Sequence, residues 1–340
     1  VGITRPATKL LRLACLAVLT AAGAFAVPAG AQQKPAAAPP MPSVPPPPKP
    51  GRPQIRRSVD LVVLPVTVVD KHGNFIENLK ENNFHVYEDG VEQKISVFKR
   101  EDIPVTMGLV IDNSGSMKTK RPSVNAAALT MVQTSNRDDE VFVVNFNEDY
   151  YLDQHSDFTN NLGVLKEALE RIDSRGSTAL YDAILASLDH LKKGHRDKKV
   201  LLVVTDGEDN ASQHDLEDTV REAQKSDALI YTIGLLSDEN HGAAKRSKRA
   251  LTALSEATGG LAFFPKTVGE VHEICLAVAK DIRNQYLVGY YPTKPQSEGG
   301  YRRVEVKLND LPHGLGKLDV RTRTGYYPKT AATAASHANQ

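Results

Sequence analysis

The sequence predicts an α/β protein built on a doubly wound, mostly parallel sheet, with a small flanking antiparallel β domain. Three observations predict it. The runs VTMGLVID (105–112), EVFVVNF (140–146), KVLLVVTD (199–206), ALIYTIGL (228–235) and GLAFFP (260–265) are short, apolar and rich in β-branched residues. Such runs are expected of strands covered on both faces by helices. Between them lie helical stripes, Leu180, Ile184, Leu188 and Leu191 in one and Leu216, Val220 and Ala223 in another, and this alternation implies a parallel sheet with crossover helices. On either side the period changes to two, in LVVLPVTVVD and FHVYEDGVEQKISVF before the centre and YLVGYYP, YRRVEVKL and KLDVRTRTGYYP after it.

Taken in chain order, residues 1–31 read as a signal peptide. Arg5, Lys9 and Arg12 form a basic start, LACLAVLTAAGAFAV (13–27) a short apolar run, and Ala29-Gly30-Ala31 a small-residue cleavage site. The apolar run is shorter than the ~20 residues that span a bilayer, so no membrane insertion is expected after cleavage, and the protein is expected to be exported, periplasmic or secreted. Residues 32–57 are a proline-rich linker. The segment 35–53 holds ten of the 20 prolines, enough for a stiff spacer of roughly 60 Å if fully extended.

Residues 58–102 form a β-rich flank. Asp70–Asn74 and Asp89-Gly90 are its turn signals, and Pro65 suits an edge or a bulge. The centre, 103–285, is the α/β domain. Ser212 with Asp215 and Thr267 with Glu270 have capping-box spacing and mark two helix starts. A second β-rich flank, 286–328, is expected to pack with 58–102, and 329–340 is expected to be a disordered tail. Gly-Tyr-Tyr-Pro occurs at 289–292 and again at 325–328, too short a match to define a repeat.

Charge and cysteine content narrow the function classes. The chain carries 42 Lys and Arg against 41 Asp and Glu. Three of the basic residues lie in the leader, so what remains is close to neutral, which argues against nucleic acid or an anionic membrane surface as partner. Of two cysteines, Cys15 lies in the leader. Cys275 shares a helical face with Val271, Ile274, Val278 and Ile282 and reads as a buried small hydrophobe.

The chemistry gathers where strands end, which in open α/β sheets is where ligands bind. VIDNSGSM (110–117) carries Asp112, Ser114 and Ser116 directly after an apolar strand. SRGSTALYD (174–182) carries Ser177 and Thr178 ahead of a helix, and TDGEDN (205–210) carries Asp206, Glu208 and Asp209. Carboxylates and hydroxyls without Cys or His are hard oxygen donors and select Mg²⁺, Mn²⁺ or Ca²⁺ over zinc or copper. Glu208 and Asp209 read either as outer supports of the site or as solvated loop charge.

Residues 103–285 resemble a von Willebrand factor type A (VWA) domain, a Rossmann-like α/β fold. Asp112-x-Ser114-x-Ser116, Thr178 and Asp206 match in order the parts of that family's metal-ion-dependent adhesion site. The resemblance implies that these five residues hold Mg²⁺ or Mn²⁺, directly or through water, and that an acidic side chain of a partner protein often completes the shell, while the donor chemistry admits Ca²⁺ as well. The flanks DKHGNFIENLKENNFHVYEDGVEQ and QYLVGYYP are similar to those of exported bacterial VWFA-related proteins of the Acidobacteria type.

Enzyme chemistry is not expected. Neither serine sits in Gly-x-Ser-x-Gly, no phosphate-binding glycine motif is in place, and His190 and His195 in DHLKKGHRD read as surface residues at a helix end. The expected function is that of an exported, non-enzymatic, adhesion-type binding module. A constitutive cell-envelope scaffold in which the metal is structural is the alternative, and a cation-assisted hydrolase a third class.

Overall fold

The computed structural model describes residues 61–328 except 101, 155, 172, 173, 237–240, 296 and 313. The segments read from sequence as leader, proline-rich linker and tail lie outside the described residues.

Four strands precede the centre: β1 (Val62–Asp70), β2 (Phe84–Glu88), β3 (Val91–Gln93) and β4 (Ile95–Lys99). The α/β centre follows, with β5 (Val105–Asp112), α1 (Arg121–Gln133), β6 (Glu140–Phe146), β7 (Tyr150–Leu152), α2 (Leu162–Glu170), α3 (Leu180–Leu191) and β8 (Lys198–Thr205). It continues through α4 (Leu216–Lys225), β9 (Ala228–Gly234), α5 (His241–Thr258), β10 (Ala262–Phe263) and α6 (Val271–Arg283). The last strands are β11 (Tyr286–Tyr290), β12 (Arg302–Leu308), β13 (Leu318–Arg321) and β14 (Gly325–Tyr326).

The central sheet has the order β10-β9-β8-β5-β6-β7, parallel throughout except for β7, a short antiparallel edge strand that the sequence reading missed. One face buries Met107, Leu109 and Ile111 with residues of α1, α2 and α6, and the other buries Val110, Phe142 and Leu201 with residues of α3, α4 and α5. At Gly108 a Cβ would lie 2.5 Å from both Leu201 and Phe142, so any side chain there would force the core to shift. The chain leaves β5 for β6 on one side and returns to β8 on the other. The order of the strands therefore reverses between β5 and β8, and a crevice opens at their carboxyl ends.

Strands from before and after the centre interleave in two further sheets, β13-β1-β11-β4 and β14-β12-β2-β3, all antiparallel. They share one core, with Leu64, Val66, Phe84 and Val86 packed among Tyr286, Val288, Val304 and Tyr326. The two-residue turn Asp89-Gly90 has φ of 48° and 83°, the left-handed pair that matches a hairpin's twist. Pro65 pairs with β11, whereas β13 joins β1 only from Thr67, so the proline lies where one side of β1 has no neighbouring strand.

Four sequence readings are corrected. Ser212 and Asp215 form no capping box: Asp215 is itself the N-cap of α4, accepting from Asp218 N, while the Ser212 hydroxyl turns to Asp209. The Thr267–Glu270 box does form. His190 is partly buried rather than a free surface residue, because α3 carries its ring against Phe142 and Phe158, with centroids 4.6 and 5.0 Å away. His195 is exposed beside Glu140. The run 317–328 is two strands in different sheets, parted where Arg323 turns inward to donate to the carbonyls of Gln224 and Ser226. Finally, the run 260–265 pairs only at Ala262 and Phe263. Cys275 is buried on α6, and burial pushes its thiol up to about 12.

Candidate metal-ion site

Asp112 is the last residue of β5 and is fully buried. Its Oδ1 accepts the Ser114 amide at 2.8 Å and its Oδ2 the Thr205 hydroxyl at 2.6 Å, so neighbouring strand ends hold the carboxylate in one orientation. Burial raises its pKa, and the bonds from Ser114 and Thr205 oppose that rise. The chain then turns through a short 3₁₀ segment, Gly115–Met117, that brings Ser114 Oγ and Ser116 Oγ within 3.3 Å. Ser116 Oγ donates to Asp206 Oδ1 at 2.7 Å. Asp112, Ser114, Ser116 and Asp206 thus form one continuous polar strip across the crevice.

Thr178 reaches the same edge by another route. Its amide donates to Asn210 Oδ1 at 2.9 Å and its carbonyl accepts the Asn210 amide at 3.0 Å, clamping the 174–179 loop to the loop after β8. Its hydroxyl lies against Gly207, 3.6 Å from where a Cβ would stand. The five residues singled out in the sequence come to one edge, four of them in a hydrogen-bonded row and Thr178 beside it.

Supporting residues that the sequence reading missed lie around them. Lys120 Nζ meets Asp206 Oδ2 at 2.5 Å, and the Asp206 side chain is only 1% exposed. Arg121, fully buried, donates from Nη1 to the Asp112 carbonyl and from Nη2 to Asn145 Oδ1 and the Leu169 carbonyl. Burial pulls its pKa down to about 10, with Asp112 and Asp153 resisting. Glu148 Oε2 accepts the Ser177 amide, and Asn113 ties to Ser174 and Arg175.

Asp209 takes a structural part, accepting the Tyr181 amide at the start of α3 and the Ser212 hydroxyl. Glu208 pairs with Arg246 of α5, whose bonds hold its carboxyl below the usual range. On the outer side, Tyr150, Tyr151 and Leu152 of β7 are 51, 45 and 40% exposed.

Two carboxylates and three hydroxyls at one edge, without sulfur or imidazole among them, are a donor set suited to a hard divalent cation. No third carboxylate joins them among the described residues, and Lys120 already faces Asp206 while Arg121 lies at the Asp112 main-chain carbonyl.

A family model described as von Willebrand factor type A domain matches residues 107–275. Among curated proteins, an uncharacterized protein of Synechocystis is 27% identical over 115 residues, 33% of this chain and 27% of that protein. Mouse integrin alpha-11 is 31% identical over 106 residues, 30% of this chain but 9% of the integrin. The matched regions therefore span about a quarter and about a tenth of those relatives. Similar solved structures include the vWF domain of the type V pili tip protein Mfa5 from Porphyromonas gingivalis, with TM-score 0.45 at 13% identity, covering 53% of this chain and 95% of that one. Another is a von Willebrand factor type A protein from Catenulispora acidiphila, with TM-score 0.44 at 13% identity, covering 79% and 73%. With the family match lying over the sheet and crevice described above, the chain carries a von Willebrand factor type A domain at residues 107–275, a family known for protein–protein adhesion.

Proposed function

We propose that this protein is an exported, non-enzymatic binding module that engages a partner protein through a divalent cation, Mg²⁺ or else Mn²⁺ or Ca²⁺, held by Asp112, Ser114, Ser116, Thr178 and Asp206. The observation that carries the reading is the polar strip from Asp112 to Asp206 at the crevice between β5 and β8. A bound cation supplies positive charge for an acidic side chain of the partner. The chain's own residues orient that centre: Thr205 and the Ser114 amide fix Asp112, and Asn210 fixes Thr178. Neutral hydroxyls keep the site's negative charge low, so the cation retains affinity for an incoming carboxylate.

Specificity comes from the surrounding loops, 147–161 and 207–213, with the exposed tyrosines of β7 at the rim. Export rests on the basic, apolar and small-residue pattern of residues 1–31. No helix among the described residues is long and apolar enough to cross a membrane.

Titration calorimetry of Mg²⁺, Mn²⁺ and Ca²⁺ into the purified chain tests the reading. One-site binding that disappears in a folded Asp112→Ala variant is expected. A folded wild type that binds none of the three cations counts against it and favours a constitutive scaffold. A second reading, a constitutive cell-envelope scaffold, draws support from Lys120 on Asp206, since that carboxylate is compensated without added metal. In that case a cation raises the melting temperature by mass action and leaves partner capture unchanged.

A further inference from the structure

Both cations that face the candidate site come from the chain immediately after the Asp-x-Ser-x-Ser turn. Lys120 is held in place by its amide, which donates to the Met117 carbonyl at 2.9 Å, and by the start of α1 at Arg121. From there its side chain crosses to a residue 86 positions away and meets Asp206 Oδ2. Ser116 engages the other oxygen, so one turn of chain occupies both oxygens of a carboxylate that is almost wholly buried.

Arg121 plays a fixed part, being fully buried beneath Asp112. Lys120 differs, because its side chain is 24% exposed and carries its charge on a flexible four-carbon stem. It has a route to water that Arg121 lacks.

We propose that Lys120 is a tethered counter-ion that competes with the divalent cation for Asp206 and so sets the cation affinity of the site. This rests on the metal-site reading above. Lys120 neutralises Asp206 directly, whereas Arg121 meets the Asp112 main-chain carbonyl rather than its carboxylate and is drawn to Asp153 as well. A divalent cation must then share Asp206 with an ammonium or drive it out, and it adds an excess of positive charge beside that pair. An anionic group from a partner relieves that excess. Cation and acidic partner therefore bind with positive coupling, and the cation alone binds weakly.

The test is Mn²⁺ titration calorimetry on the full chain in four forms, wild type, Lys120→Met, Lys120→Arg and Asp112→Ala, with folding checked by circular dichroism. Methionine keeps the stem and removes the charge. Lys120→Met is expected to bind Mn²⁺ at least ten-fold tighter than wild type, and Lys120→Arg is expected to stay within about three-fold of it. In EDTA, Lys120→Met is expected to melt below wild type, because Asp206 loses its counter-ion, with Mn²⁺ restoring more of the loss than it adds to wild type. Equal or weaker Mn²⁺ binding by folded Lys120→Met overturns the proposal while leaving the metal site standing. Absence of binding in both folded wild type and folded Lys120→Met overturns the metal-site reading itself, and this proposal with it.

Discussion

Lys198 shows how a single residue couples folding to pH. It opens β8, is 8% exposed, and donates to the Ile282 carbonyl at the end of α6. Burial lowers its pKa to about 7, with Arg283 adding to the fall and Asp281, Asp102 and Asp139 resisting it. The unfolded chain keeps an ordinary lysine near 10.4, so between roughly pH 7 and 10 the unfolded state binds more protons. Stability contributed by this residue therefore rises with pH across that window, by at most about 1.4 kcal/mol per pH unit. Denaturant unfolding of wild type and Lys198→Met at several pH values between 6.5 and 9.5 checks this. The variant is expected to lose that slope and to gain most relative to wild type near pH 7. At the candidate site, the same scale explains what a sequence can and cannot show. Asp112, Ser114 and Ser116 were legible because strand and turn periodicity puts them on one short segment. Thr205 and Lys120 were not, since each acts on a carboxylate about 90 residues distant in sequence.

Among the elements, α6 joins the central sheet to both flanks. Near its end Asp281 accepts the Tyr231 hydroxyl from β9 at 2.6 Å, the Thr67 hydroxyl from β1 at 3.1 Å and Arg321 Nη2 from β13 at 2.5 Å. One carboxylate thus fastens the last helix of the central sheet to both flanks. Removing one partner of a buried ion pair typically costs about 3–5 kcal/mol. Because Arg321 is 23% exposed and can recover water, the lower end applies to Asp281→Ala. Urea unfolding is expected to show a loss of about 3 kcal/mol, and hydrogen exchange is expected to quicken first in β13 and the last turn of α6. The sequence identified α6 through its stripe and its Thr267–Glu270 box, both local signals. It missed β7, whose three residues are too few to display a period and whose place depends on pairing with β6.

Over the whole molecule, the β-rich flanks meet at Glu88. This residue of β2 is 2% exposed, with Arg302 of β12 on Oε1 at 3.0 Å. Tyr290 and Tyr326 both donate to Oε2 at 2.8 Å. These tyrosines occupy the same place in the two Gly-Tyr-Tyr-Pro segments, which too short a match had left without meaning. Burial, followed by the Glu88 carboxylate, raises the pKa of Tyr326, so both phenols stay donors at neutral pH. Glu88→Ala strands a fully buried guanidinium and two hydroxyls, and a loss of about 3–5 kcal/mol is expected, read as a fall in the urea midpoint. An unchanged midpoint would show that the cluster contributes nothing net to the fold.

By itself the sequence determined the alternation of buried strands and amphipathic helices, the β texture of both flanks, and the hydroxyls and carboxylates at the strand ends. These are local properties, written in periods of 2 and 3.6 residues and in the composition of turns. Only the tertiary structure decided which strand ends meet, which flank strands pair, that two distant tyrosines share one carboxylate, and that Lys120 faces Asp206. Those contacts join segments separated by 86 to 238 residues, and they arise from burial and charge pairing across the folded chain, which no local period records.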